Sequence, residues 1–255
     1  MSQHRAINLL VLLFPGFNTL DANGPIEVFS KASVPPGSET GITYKLTVAA
    51  KDDYIQAGEG VTIRRDLSLQ CALENISDYH ILIQPGAGLE EIDCYINKDP
   101  AFQDHKTIIQ KFLQLGQSSE NPRVLLTICT GALLVGYVGG FDGLEATTHF
   151  EGQNCLRSYC NAYAEQYGGK GATIIPELKC SDDTEPDIIF CAYKSAMEKL
   201  VRWVDAGCNA TGVRVISSGG ISCGLDASLF VVSQISGIER ALFAARIMEY
   251  AWRWA

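Results

Sequence analysis

Short runs of consecutive apolar residues recur along the 255-residue chain, at 7–14, 44–50, 80–84, 124–128 and 213–217, each bounded by Gly, Pro or polar positions. Runs of this length predict strands, and the helix-like patterns between most of them predict crossovers. Strands without polar alternation are covered on both faces. The pattern therefore predicts an α/β sandwich around a mainly parallel sheet, with its functional loops at the carboxyl ends of the strands. Pro15, Pro85 and Cys129 all follow such ends. The stretch Val61 to Arg65 alternates instead and predicts an edge or antiparallel strand. Residues 33–41 read as a surface loop and 177–187 as a polar excursion. From Ser222 onward, Leu225, Leu229, Val232, Ile235 and Ile238 recur at helical spacing, which predicts a helix broken at Ser236-Gly237 and resumed from Ile238 to Trp254. These apolar positions belong to the core or to a subunit interface. With no repeat, low-complexity tract or helix-turn-helix pair in view, residues 1–255 read as a single domain.

Composition narrows the partners. A hydrophobic content of 47% supports a full core, and a net charge of -9 disfavours nucleic acid and anionic membrane surfaces, leaving a small-molecule substrate. Nine cysteines, an odd number with no C-x-x-C pair, signal neither a disulfide framework nor a zinc site and fit a reducing, cytoplasmic setting. The run 7–14 follows His4 and Arg5 as a signal h-region would. It ends at Pro15-Gly16 without a small-x-small pattern and is too short to cross a bilayer, so it reads as a buried first strand. The Asn-x-Ser/Thr triplets at Asn75 and Asn209 read as accidental.

The chemistry centres on Cys129. Arg123 to Ile128 runs apolar and β-branched into this cysteine, and a small-residue, helix-prone stretch follows at once, the outline of a nucleophile elbow. Amides opening that helix favour negative charge on sulfur. A buried structural thiol is the alternative reading. Three other segments supply partners. Residues 15–29 carry Asp21 and Glu27, either of them a proton donor; Asp21 is alternatively the cap of a helix opened by Pro25 and Glu27. Gly86 and Ala87 lie in a small-residue turn whose backbone can approach a ligand. His149, after Thr147-Thr148, is either a structural histidine or a proton carrier.

Taken together, FPGF and TLDANGPIEVF over 14–29, QPGAG at 84–88, TICTGALLVG at 127–136, ATTHF at 146–150 and SSGGISCGLDASL at 217–229 resemble the ThiJ/PfpI superfamily, relatives of class I glutamine amidotransferase domains. The resemblance covers most of the chain and implies a flavodoxin-like three-layer sandwich, a homodimer and no cofactor or metal. Within it, the LD-x-x-GP, Cys-Thr-Gly, ATTH and G-I-x-x-G-x-D segments look most like the isonitrile hydratase branch, which adds water to an isonitrile to give an N-substituted formamide. That resemblance implies Cys129 as nucleophile, Asp21 as acid partner and Thr130 as the adjacent hydroxyl. Amides near Gly86, Ala87 and Thr130 would polarise the adduct, with His149 in a secondary, orienting role. Two positions depart from common members. Thr130 replaces the histidine often found after the nucleophile, which disfavours peptide cleavage and glyoxalase-type action on 2-oxoaldehydes, and Ala87 replaces a glycine, restricting positive φ and narrowing the turn. Residues 177–200 look like an insertion that alters substrate size. A redox or stress sensor with an oxidisable Cys129, and a noncatalytic ligand-binding domain, are the competing readings.

Overall fold

The computed structural model describes residues 4–35, 37–116, 122–176 and 201–253; the polar excursion at 177–187 and the insertion at 177–200 lie outside these residues. Eleven strands are formed among them: β1 (Arg5–Leu12), β2 (Ile42–Ala50), β3 (Tyr54–Gln56), β4 (Thr62–Arg64), β5 (Leu67–Ser68), β6 (Ile81–Gln84), β7 (Val124–Thr127), β8 (Glu145–Ala146), β9 (Thr173–Ile174), β10 (Trp203–Cys208) and β11 (Arg214–Ser218). Seven of them make one sheet in the order β10-β11-β7-β6-β1-β2-β5, parallel throughout except at the β10–β11 edge. The five apolar runs are β1, β2, β6, β7 and β11. Every residue of β6 and β7 is buried. Each fully buried Leu, Ile or Val there contributes about 1.5–3 kcal/mol of transfer free energy.

Helices α1 (Thr19–Ala32), α2 (Leu69–Glu74), α3 (Leu89–Lys98), α4 (Phe102–Gln114), α5 (Gly131–Tyr137) and α6 (Gln153–Tyr167), followed by Cys223–Ser236 and Ile238–Ile247, flank the sheet. The architecture is the expected flavodoxin-like three-layer sandwich. Successive strands are laid down on opposite sides of β1, with β2 on one flank and β6 on the other. The loops after β1 and β6 therefore diverge and open a crevice at the carboxyl edge, where such sheets bind ligands. The alternating segment is β4, which pairs antiparallel with β3 in a separate hairpin. No helix among the described residues is long and apolar enough to cross a membrane.

Two helix boundaries differ from expectation. Helix α1 opens at Thr19, not near Pro25: the Asn18 side chain accepts from the Leu20 and Asp21 amides, satisfying donors that the first turn leaves free. Pro25 lies inside the helix, where it offers no N–H to the Asp21 carbonyl. Capping is thus the work of Asn18, which frees the Asp21 side chain for another role.

At the other end of the chain, the last helix stops at Ile247 instead of reaching Trp254. Glu249 takes a left-handed conformation (φ 49°), the Tyr250 amide donates to the Ala245 carbonyl and the Glu249 amide to that of Arg246. This is a Schellman closure without its usual glycine. The chain then turns back: Trp252 Nε1 donates to the Asp226 carbonyl at 3.2 Å, and the Arg253 amide to Asp226 Oδ1 at 2.9 Å. Leu229 and Val232 of the preceding helix are core, Leu225 and Ile235 are partly buried against it, and Ile238 is exposed.

Asp226 has no exposed surface, and its other oxygen accepts from Arg202. Removing the guanidinium leaves a buried carboxylate with no counter-charge, which typically costs several kcal/mol. Arg202→Ala is expected to lower the unfolding free energy in urea by about 3 kcal/mol; a loss below about 1 kcal/mol would mean that the pair is solvated like a surface ion pair.

Candidate functional site

Cys129 lies two residues past β7 and has φ 55°, in the left-handed region that residues with a side chain rarely occupy. Tertiary bonds hold it there. Its amide donates to the Gly219 carbonyl at 3.1 Å, its carbonyl accepts from Thr148 Oγ1 at 2.9 Å, and the Ile128 amide before it donates to the Gln84 carbonyl at 2.9 Å. The strained elbow is thereby tied to the ends of β6 and β11 and to the ATTH segment. Small residues let it close: a Cβ on Gly131 would strike the Gln84 and Pro85 carbonyls, and one on Gly86 would strike Thr130 Oγ1.

Asp21, in the first turn of α1, has no exposed surface. Its Oδ2 accepts from the Gly86 amide at 3.1 Å, while Oδ1 has no hydrogen-bond partner. Burial pushes its pKa up to about 7 against the opposing pull of the Gly86 amide and the Cys129 thiol, with the charge of Glu59 adding to the rise. Glu27, the other candidate acid, is exposed and pairs with Lys31 at 3.2 Å, so of the two carboxyls only Asp21 lies buried at the Gly86 turn.

Cys129 is buried, with 5% of its surface exposed. Burial, seconded by the charge of Asp21, raises the thiol well above its ordinary pKa, although the Thr130 amide and hydroxyl and the Ile221 amide draw it down. The prediction that helix-opening amides favour the thiolate is thus only partly met: the amides are there, and desolvation outweighs them. Burial thus favours the neutral form of both the Cys129 thiol and the Asp21 carboxyl.

Other residues depart further from expectation. The Thr130 hydroxyl donates to the Ala87 carbonyl at 2.5 Å and accepts from the Ala87 amide at 2.9 Å. The amides of Gly86 and Ala87 are therefore bonded to Asp21 and Thr130 and do not point freely at a ligand. The donors facing the sulfur come from Thr130 and Ile221. Ala87 is not strained, since Cys129 and Glu249 are the only described non-glycine residues with positive φ; it forms an isolated antiparallel bridge with Phe17. In the ATTH segment it is Thr148, not His149, that touches the elbow. His149 accepts from the Glu151 amide at 3.4 Å and packs on Gly220, where a Cβ would come within 2.8 Å of its Cδ2. Gly220 lies in the loop after β11 that also carries Gly219 and Ile221.

Glu59 escaped the sequence reading. It lies in the turn of the β3–β4 hairpin and binds the start of α1, accepting from Asn18 Nδ2 at 2.6 Å and the Thr19 amide at 2.9 Å. Ile221 was legible only as part of a motif. Among the described residues, no three His, Cys, Asp or Glu side chains group as metal ligands.

This arrangement can be set beside known proteins. No family model matches the chain. The fold is shared with a ThiJ/PfpI family protein from Pseudomonas syringae, at a TM-score of 0.64 and 17% identity over 97% of this chain and 76% of that one. It is shared equally with DJ-1beta of Drosophila melanogaster, at a TM-score of 0.64 and 14% identity over 97% of this chain and all of the other. At 17% and 14% identity the likeness is one of fold. In sequence the chain is similar to the isonitrile hydratase of Pseudomonas putida, 22% identical across 96% of this chain and 79% of that protein.

The Asp21 shift has a thermodynamic consequence. An acid whose pKa is 3.8 unfolded and about 7 folded binds its proton more tightly in the native state, so its stabilising effect is complete below pH 3.8 and lost as pH rises through about 7. The loss amounts to about 4 kcal/mol. Asp21→Asn, neutral at every pH, is expected to be more stable than wild type at pH 8 by a few kcal/mol and to converge with it near pH 4. Parallel urea titrations of the two proteins at those pH values check this; equal stability at pH 8 would contradict it.

Proposed function

We propose that the chain is a cysteine-dependent enzyme of small electrophiles, acting as an isonitrile hydratase through Cys129 and Asp21. The observation that carries this reading is a buried carboxyl, poised to titrate near neutrality, set beside a protonated elbow thiol. Similarity to the Pseudomonas putida isonitrile hydratase supports the choice of substrate. The domain spanning 1–255, the homodimer and the cytoplasmic setting that accompany the resemblance belong to the same proposal.

In this mechanism Asp21 carboxylate takes the Cys129 proton and returns it to the terminal carbon of the isonitrile as the C–S bond forms. The product is a thioimidate, Cys129–S–CH=N–R. Water adds to that carbon, one of its protons passing through Asp21 to nitrogen, and the C–S bond breaks. The formamide leaves, and the second proton restores the thiol. The Thr130 and Ile221 amides stabilise the sulfur while it carries negative charge. Thr130 and the Gly86-Ala87 turn fix the geometry through their mutual bonds rather than by touching substrate. His149 orients the loop after β11, whose Ile221 amide faces the sulfur.

Redox sensing is the second reading, favoured by the similarity in fold to DJ-1beta and by a carboxyl next to the cysteine. A buried thiol held in its protonated form is a slow target for peroxide, which attacks the thiolate, and this weighs against it. Under mild peroxide, peptide mass spectrometry is expected to find the exposed Cys71 and Cys94 oxidised before Cys129; selective Cys129 sulfinate would favour the sensor.

Formamide production from cyclohexyl isocyanide tests the enzymatic proposal. Wild type is expected to turn over with kcat/KM falling as pH drops below about 7, because Asp21 must be ionised to accept the thiol proton. Asp21→Asn should lose at least ~100-fold, and Cys129→Ala should be inactive. Wild-type turnover no faster than that of the Cys129→Ala protein rejects the activity.

A further inference from the structure

Beneath the Gly86 turn runs a set of buried polar side chains that the proposed chemistry does not use. Gln84, at the end of β6, and His105, on α4, have no exposed surface, and Tyr95 on α3 is 4% exposed. Tyr95 Oη lies 2.9 Å from His105 Nδ1, His105 Nε2 lies 2.7 Å from Gln84 Oε1, and Gln84 Nε2 donates to the Pro85 carbonyl at 2.9 Å.

These contacts fix every proton in the chain. The amide of Gln84 must turn its NH2 toward Pro85, since a carbonyl cannot donate, so Oε1 faces His105 and accepts from Nε2–H. Complete burial lowers the His105 pKa to about 3, and the ring is neutral. Its Nδ1 is then an acceptor, and Tyr95 must be the donor. The next peptide group continues the sequence: the Pro85 carbonyl accepts from Gln84, and the amide of the same Pro85-Gly86 peptide donates to Asp21 Oδ2 at 3.1 Å. Four donors in a row, Tyr95 O–H, His105 Nε2–H, Gln84 Nε2–H and Gly86 N–H, all point toward one carboxyl.

Hydrogen bonds aligned in this way polarise one another, and a peptide whose carbonyl accepts a bond becomes a stronger donor at its N–H. We propose that Tyr95, His105 and Gln84 are positioning residues for Asp21: they orient and polarise the Pro85-Gly86 peptide and so set the proton affinity of the site carboxyl. Aromatic packing supports the geometry. The Tyr95 ring stacks on Phe14 at 4.7 Å and meets Phe102 edge-on at 5.6 Å, which holds its hydroxyl on the histidine. The Gly86 amide opposes the effect of burial on Asp21, so weakening the chain must move the carboxyl upward.

The inference deepens the proposed role of Asp21 but is read without substrate, so absence of isonitrile turnover leaves it intact. The Asp21 carboxyl carbon is followed by 13C NMR through a pH titration of the full chain, its resonance assigned by its loss in Asp21→Asn. Tyr95→Phe keeps the stacked ring and removes the first donor; it is expected to raise the midpoint by roughly 0.3 pH unit. His105→Phe breaks the chain and is expected to raise it by about one unit. Should His105→Phe not fold, Tyr95→Phe decides alone. An Asp21 midpoint unchanged or lowered in folded Tyr95→Phe protein overturns the proposal, whatever the effect on stability.

Discussion

A carboxyl group with no exposed surface and only one of its oxygens hydrogen-bonded costs free energy whenever it is charged, and the fold places Asp21 in that position within reach of a buried thiol. Two neighbouring groups in a poorly hydrated crevice cannot both ionise cheaply. The pair therefore retains a proton near neutrality, on sulfur, while the carboxyl stands near its midpoint. Every other feature of the site bears on this constraint. The left-handed Cys129, the Gly86 amide, the Thr130–Ala87 bonds and Glu59 on the cap of α1 all hold one of the two partners or adjust its charge.

The sheet creates that crevice by its order of assembly. Because β2 and β6 lie on opposite sides of β1, the first turn of α1, which bears Asp21, and the turn bearing Gly86 face each other across the switch in winding, and β7 delivers Cys129 one strand further on. Parallel strands need helices over both faces, so the same topology that opens the crevice also dries its floor. Stability is given up for this at Asp21, as often happens where a site requires an ionisable group out of water.

The strands are legible because buried parallel strands leave continuous apolar runs, and the elbow because a cysteine and a small-residue, helix-prone stretch follow such a run at once. The features that the sequence hides depend on contacts between distant residues. The start of α1 is masked in the sequence because Pro25 and Glu27 are strong opening signals, whereas Asn18 shows itself as the cap only once the chain is folded. The last helix was drawn too long because Glu249 occupies a position where glycine normally announces the stop. Strand β10 mixes polar with apolar residues at a sheet edge and left no clear run. The Tyr95–His105–Gln84 chain joins three elements by side-chain bonds that no local periodicity encodes. The Gly86-Ala87 turn is visible in the sequence as a small-residue turn, but which partner takes each amide is a tertiary fact.

The proton on Asp21 is the point on which the account turns, and infrared difference spectroscopy between wild type and Asp21→Asn observes it most directly. A carbonyl stretch of a protonated, weakly hydrogen-bonded carboxyl should be present in the wild type at mildly acidic pH and disappear with a midpoint near pH 7. A band already gone by about pH 5, the behaviour of an ordinary hydrated carboxyl, would contradict the account.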